Sequence, residues 1–197
     1  VSAGTNTTAI PAGGQAGFNS YGVFIRSGTT ANGGYRYQTT SLVSDYFGTI
    51  SHKFRFQFLF RPTFTGRTLR GGYLDTITTA DATDGAYFEI VDGVCSAKTA
   101  SSSVRMTDAT TLALSIDVAY TFDIEVNAAA DAARFRVYGG NSNTALLDVT
   151  IATNIPTTQA RAFGAGVVAF AAATSSDIGI LYSLGMGTVE GFQTRDI

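Results

Sequence analysis

The sequence predicts an all-β protein: an antiparallel β-sandwich of jelly-roll type with an extended N-terminal arm. Three observations carry that expectation. Short segments alternating apolar and polar residues recur along the chain, turn signals separate them, and no stretch of helical period is convincing. At 197 residues the chain fits one domain with a core large enough to fold without disulfides. The expected division is an arm or linker over 1–20 and a sandwich domain over 21–197.

Each element has its own signal. The stretch 1–18 is small, polar and Gly-rich, with Pro11 and Gly13-Gly14, and reads as extended chain. Alternation starts at Tyr21–Arg26. Asn32-Gly33-Gly34 makes a turn into Tyr35-Arg36-Tyr37. The segment from His52 to Arg61 places Phe54, Phe56, Phe58 and Phe60 on one face, with Arg55 and Gln57 on the other. Pro62 ends it. Thr68–Leu74 is the next strand. Ala86–Val91 and Val94–Lys98 flank Asp92-Gly93, a two-residue hairpin signal. Tyr120–Val126 and Arg134–Tyr138 alternate around an Ala-rich connection that reads as a hairpin rather than a helix. Gly139-Gly140-Asn141 is a turn, Ala145–Ala152 a strand, and Asn154-Ile155-Pro156 its end. Phe163–Ala171 and Ile178–Val189 are apolar runs of the buried or terminal strand kind. No fixed repeat argues for a solenoid or propeller.

Composition excludes several function classes. Hydrophobic residues are 45% of the chain, too many for disorder. Charged residues are 14%, against about 25% in ordinary soluble domains. A net charge of −2 offers no basic field for nucleic acid. No apolar run reaches about 18 residues, so no membrane insertion is expected. One Cys and one His exclude a disulfide framework and Cys-based zinc. Cys95, in an alternating strand, is expected to be an inert buried thiol.

Candidate chemistry is sparse. His52 opens a strand, and a partly exposed strand-end position is expected rather than a catalytic base. Asp123 and Glu125 share a strand face, as paired glycosidase carboxylates do, but also as on any half-exposed strand. Asp75, Asp81 and Asp84 lie close in sequence and are the candidate metal ligands, for calcium; the alternative is that they cap turns. Tyr35, Tyr37 and Tyr73 are the candidate ligand-binding platform for a sugar. The chain has no Trp.

Several segments together resemble tailed-phage virion proteins with a concanavalin-like jelly-roll domain, of tail-fibre, adsorption-appendage or capsid-surface decoration type. They are Gly28 to Arg36, Phe56 to Pro62, Thr68-Leu69-Arg70-Gly71-Gly72-Tyr73, Thr83 to Ile90, Asp123 to Ala129 and Thr153-Asn154-Ile155-Pro156. Asp84-Gly85-Ala86-Tyr87-Phe88-Glu89-Ile90 is the most specific. The resemblance implies a non-catalytic virion surface protein that decorates the particle or attaches it to a host. It implies an extracellular location, other virion proteins and copies of itself as partners (a trimer first), and a host-surface glycan as possible ligand. The alternatives are a carbohydrate-binding module and, behind it, a jelly-roll glycosidase or polysaccharide lyase. No fixed catalytic motif and no cofactor come with the resemblance.

Overall fold

The structure, a computed structural model, describes Gly48, residues 51–61, 63–75 and 80–157, and the strand pairing of six further segments. In chain order the strands are β1 (Thr5–Ile10), β2 (Gln15–Asn19), β3 (Gly22–Arg26), β4 (Gly34–Thr39), β5 (Ser51–Phe60), β6 (Arg67–Leu74) and β7 (Gly85–Val91). There follow β8 (Val94–Ser101), β9 (Val104–Ala113), β10 (Ala119–Val126), β11 (Ala133–Gly139), β12 (Ala145–Ile151), β13 (Gly164–Ala171) and β14 (Gly179–Val189). They form two 7-stranded antiparallel sheets, β1-β4-β13-β6-β7-β8-β9 and β12-β11-β10-β5-β14-β3-β2. The all-β sandwich expected from sequence is thus the fold.

Period-two alternation builds the interior. Phe54, Phe56, Phe58 and Phe60 are all buried, and they meet Phe122, Ile124 and Val126 of β10 and Phe135 and Val137 of β11 in one cluster. The facing sheet supplies Leu69, Tyr73, Phe88, Ile90 and Cys95. Phe56 stacks on Phe122 with ring centroids 4.6 Å apart and planes 10° from parallel. Phe88 meets Phe122 and Phe135 edge-on, each at 5.3 Å. Such pairs add to area burial because ring edges and faces carry opposite partial charge. Gly71 of β6 lies directly over the Phe56 ring: a Cβ built there would sit 2.5 Å from Phe56 Cζ. A side chain at position 71 would displace the ring, so the glycine lets the sheets close.

Turn chemistry follows the sequence. Asp92 and Gly93 take φ of 49° and 84°, the left-handed pair a tight hairpin needs. Asp92 Oδ1 also accepts from the Gly66 N–H at 2.6 Å. Between β10 and β11, Asn127 Oδ1 accepts from the Asp131 and Ala132 N–H groups, closing a hairpin rather than a helical turn.

Two stretches pair as strands that the sequence did not mark as such. Within 1–20, read from sequence as an extended arm or linker, β1 pairs with β4 at one sheet's edge and β2 with β3 at the other's. Thr-rich and Gly-rich sequence suits an edge strand as well as a linker, and composition does not separate them. Val104–Ala113, not anticipated as a strand, is β9, exposed along most of its length at an edge.

Candidate functional site

A β-strand with one face in the core turns its other residues outward, so the positions between the phenylalanines of β5 build an outer surface. Register fixes its rows. Gln57 pairs with Thr121, which pairs with Tyr138; Arg55 pairs with Asp123, which pairs with Arg136; Lys53 pairs with Glu125, which pairs with Arg134. On the other side of β5, Gly185 and Gly187 of β14 stand opposite Arg55 and Lys53, and glycine adds no side chain there.

The first two rows border a groove of about 420 Å³. It is lined by Arg55, Gln57 and Thr121, by Tyr138, and by the β11–β12 turn with Gly140, Asn141, Ser142 and Asn143. Local geometry holds these parts. Against β12 the register shifts between Val137 and Tyr138, with Leu146 of β12 as the extra residue, so that Tyr138 faces Ala145, while Tyr138 keeps its regular place opposite Thr121 of β10. The turn is tied by Gly140 N–H donating to Ala119 O at 2.7 Å and Ser142 N–H to Gly139 O at 3.1 Å. Ser142 Oγ accepts from the Thr144 N–H at 3.0 Å. Asn141 and Asn143 are exposed.

Beside the groove lies a row of charges. Asp123 is 1% exposed, and its Oδ2 receives Arg55 Nη2 at 2.6 Å, Arg136 Nη2 at 3.5 Å and Lys53 Nζ at 3.6 Å. Arg136 also holds Glu125 at 2.9 Å. Asp123 and Glu125 therefore do share a face, but each is held by cations. Further out, Arg134 grips Asp148 with two parallel bonds of 2.8 and 2.6 Å; that partner raises the Arg134 pKa and lowers that of Asp148.

The other sheet carries a second cluster on its outer side. Arg70 and Glu89, both nearly buried, pair at 2.7 Å. Lys98 bonds Glu89 at 2.5 Å and approaches Asp81 at 3.6 Å, and Arg105 meets Asp81 at 3.2 Å. The Tyr87 hydroxyl donates to Asp81 Oδ1 at 2.7 Å. Burial pushes the Asp81 carboxyl up, but the Tyr87 hydroxyl and the three cations outweigh it and hold the pKa below the usual carboxylate value. The Tyr87 phenol is pushed well above its ordinary value by burial and by Asp81. These groups fasten the segment leading from β6 to β7.

The candidate metal ligands do not come together as a site. Asp75 Oδ1 accepts from the Thr83 N–H at 3.0 Å, Asp84 Oδ1 from the Ser102 N–H at 2.7 Å, and Asp81 joins the ion pairs. They cap turns and bind cations of the chain. Among the described residues no group of three or more His, Cys, Asp and Glu side chains could hold a metal. Tyr73 is not a ligand platform: it is 5% exposed between the sheets, and burial, then the Asp123 charge, pushes its phenol well up. The side chains of Tyr35 and Tyr37 lie outside the described residues; their backbones pair with Ala169 and Val167, which pair with Leu69 and Gly71. His52 is 2% exposed rather than partly exposed, with its ring edge-on to Tyr73 at 6.0 Å. It shares the parity of Phe54 and so points inward. Cys95 is fully buried, and burial pushes its thiol well up.

The sequence had separated Arg55 and Gln57 from the phenylalanine face, but it did not single out Tyr138, Asn141 or Asn143. Tyr138 ends an alternating strand beside a Gly-Gly-Asn turn, and that is the signal available for it.

The comparisons agree with this architecture. No curated protein matches the chain by sequence. Among solved structures it is similar to SO2946 from Shewanella oneidensis MR-1, a protein of unknown function, at 16% identity and TM-score 0.69, covering 92% of this chain and 76% of that one. It is similar to the exoplasmic/lumenal domain of VIP36 in its Ca2+/Man-bound form, at 9% identity and TM-score 0.63, covering 98% and 86%. It is similar to the family 7 alginate lyase A1-II' in complex with substrate (GGMG), at 14% identity and TM-score 0.55, covering 88% and 81%. Identities this low speak to fold, and the shared fold is the concanavalin-like jelly roll. A family model described as SO2946-like, C-terminal domain, matches residues 19–180, and the chain belongs to that family.

Proposed function

We propose that the domain is a non-catalytic carbohydrate-binding module and that the groove over β5, β10 and β11 holds the glycan. The observation that carries this reading is the groove's lining: one tyrosine ring beside Arg55, Gln57, Thr121, Asn141 and Asn143. Sugars present hydroxyls in fixed directions and an apolar ring face, and a site for them needs a few placed polar groups and an aromatic wall. Rigid strands hold most of these side chains. Two structures sharing the fold are described with saccharide bound, the Ca2+/Man-bound form of VIP36 and the lyase complex with GGMG, which supports the reading.

The non-catalytic part rests on two placements. The chain's one His, His52, lies in the interior, so its imidazole does not reach a ligand in the groove. Asp123 and Glu125 are engaged with Arg55, Lys53 and Arg136, so each carboxylate is held by a cation. The test is a glycan array, then calorimetry with Tyr138→Ala and Asn141→Ala. Each variant should lose at least tenfold in affinity with an unchanged melting temperature. Variants that bind like wild type would remove the groove from consideration. Incubation with the bound polysaccharide should release neither reducing ends nor unsaturated ends; either product would make the protein an enzyme.

A second reading gives that binding a setting on a phage virion, as a decoration or appendage protein that attaches to a host-surface glycan. It rests on the sequence resemblance, above all Asp84 to Ile90. It expects a homo-oligomer, a trimer first, in light scattering; a monomer at all concentrations would count against it.

A further inference from the structure

We infer that the groove selects an acidic saccharide, one bearing a uronic-acid carboxylate, and reads that carboxylate with the Arg55 guanidinium. The inference rests on the groove being the glycan site.

Charge counting along the three rows of β5, β10 and β11 comes first. Arg134 and Asp148 neutralise each other in their bidentate pair. The remaining cations of the rows are Lys53, Arg55 and Arg136, against the carboxylates Asp123 and Glu125. One positive charge is left over, on a chain whose net charge is −2. Among these cations Arg55 is the one that lines the groove, and its side chain is 53% exposed, against 17% for Arg136. Among the described residues no Asp or Glu lines the groove. A ligand there meets one fixed cation among neutral hydrogen-bonding groups.

Arg55 can also serve a ligand without leaving a buried charge alone. Among the described residues it donates one hydrogen bond, from Nη2 to Asp123. Its other N–H groups form the planar fork that matches a carboxylate with two parallel bonds. If the ligand draws Arg55 away, Asp123 keeps Lys53 at 3.6 Å and Arg136 at 3.5 Å. Arg136 lacks that freedom, because it is shared between Asp123 and Glu125. A neutral sugar would leave the surplus charge unanswered, and an amino sugar would be repelled by it. Gln57, Thr121, Asn141 and Asn143 are left for the hydroxyls.

The experiment compares oligogalacturonate with the same oligosaccharide after its carboxyls are reduced to primary alcohols. Calorimetry on the whole chain, at low and high salt, should show the acidic form binding at least tenfold tighter, with the difference shrinking as salt rises. Arg55→Gln should bind both forms equally. Arg55→Lys keeps the charge but loses the fork, and should fall between. Arg134→Gln, outside the groove, should leave the preference intact; if it erases the preference as fully as Arg55→Gln does, a general surface field is responsible and the inference fails. Equal binding of the two forms by the unmodified protein overturns the inference while leaving the glycan site standing, and this comparison does not depend on any variant folding. Binding of neutral glycans alone on an array has the same meaning. Silence toward acidic and neutral glycans alike would overturn the carbohydrate reading itself.

Discussion

Replacing Gly71 by Ala probes a close approach between the two sheets. A Cβ at that position would lie 2.5, 2.8 and 3.0 Å from Cζ, Cε1 and Cε2 of Phe56. Carbon atoms rest at about 3.5–4.0 Å, so the ring would have to withdraw by about 1 Å. It has little room to do so. Phe122 stacks against it at 4.6 Å, Phe54 lies at 5.6 Å and Phe88 at 6.4 Å. Overpacking of this kind costs about 1–3 kcal/mol. The backbone at Gly71 does not have the positive φ seen at Gly72 and Gly93, so alanine is conformationally acceptable and the whole penalty belongs to the ring. The sign of the effect should therefore depend on Phe56. Leucine lacks the three atoms that clash. In a Phe56→Leu background the same Gly71→Ala change should be neutral or stabilising by about 0.4–1 kcal/mol, because alanine restricts the unfolded chain. Urea titrations of the four proteins give the cycle, read from midpoints at constant slope. An equal cost of Gly71→Ala in both backgrounds would refute the contact, and no cost in either would mean the sheets do not meet there.

Two further outcomes follow from titratable groups. Asp81 has its folded-state pKa lowered, so its contribution to stability is present above the unfolded carboxylate value of about 3.9 and is lost as pH falls through the lower folded value. Asp81→Asn should be less stable than the parent at neutral pH and show a shallower loss in acid; parallel stability–pH curves would contradict the ion-pair assignment. Cys95 is fully buried with its thiol pushed up, so a thiol reagent should label it in denaturant and leave it unmodified in buffer over the same time. Rapid labelling of the native chain would show that its strand opens readily.

How far the sequence speaks depends on whether burial imposes a period. Phe54 to Phe60 alternated visibly because one face is core and the other is not. The same rule, extended by one step, would have put His52 inside with Phe54, yet its place at the strand's start suggested solvent. β9 left a weaker trace: Val104 to Ala113 is exposed along most of its length, and Asp108 and Thr110 interrupt the one parity that carries Val104, Met106 and Leu112. β1 and β2 hide in a composition that reads as linker, and only pairing with β4 and β3 distinguishes them. The candidate site divides in the same way. Arg55 and Gln57 were legible as outward residues, whereas their meeting with Thr121 and Tyr138 depends on cross-strand register. Tyr73 drew notice as a sugar platform for its residue type, and its parity on β6 sends it inward instead.

The alternation along β5 also bears on how such a domain diversifies. Even-numbered positions from 52 to 60 are committed to the interior, while Lys53, Arg55 and Gln57 touch only the outer surface and their cross-strand neighbours. Drift at positions 53, 55 and 57 can alter what the face attracts without opening a cavity in the sandwich. A single strand thus keeps one inherited half and one half free to vary, and lineages with the same scaffold can come to differ in what they hold.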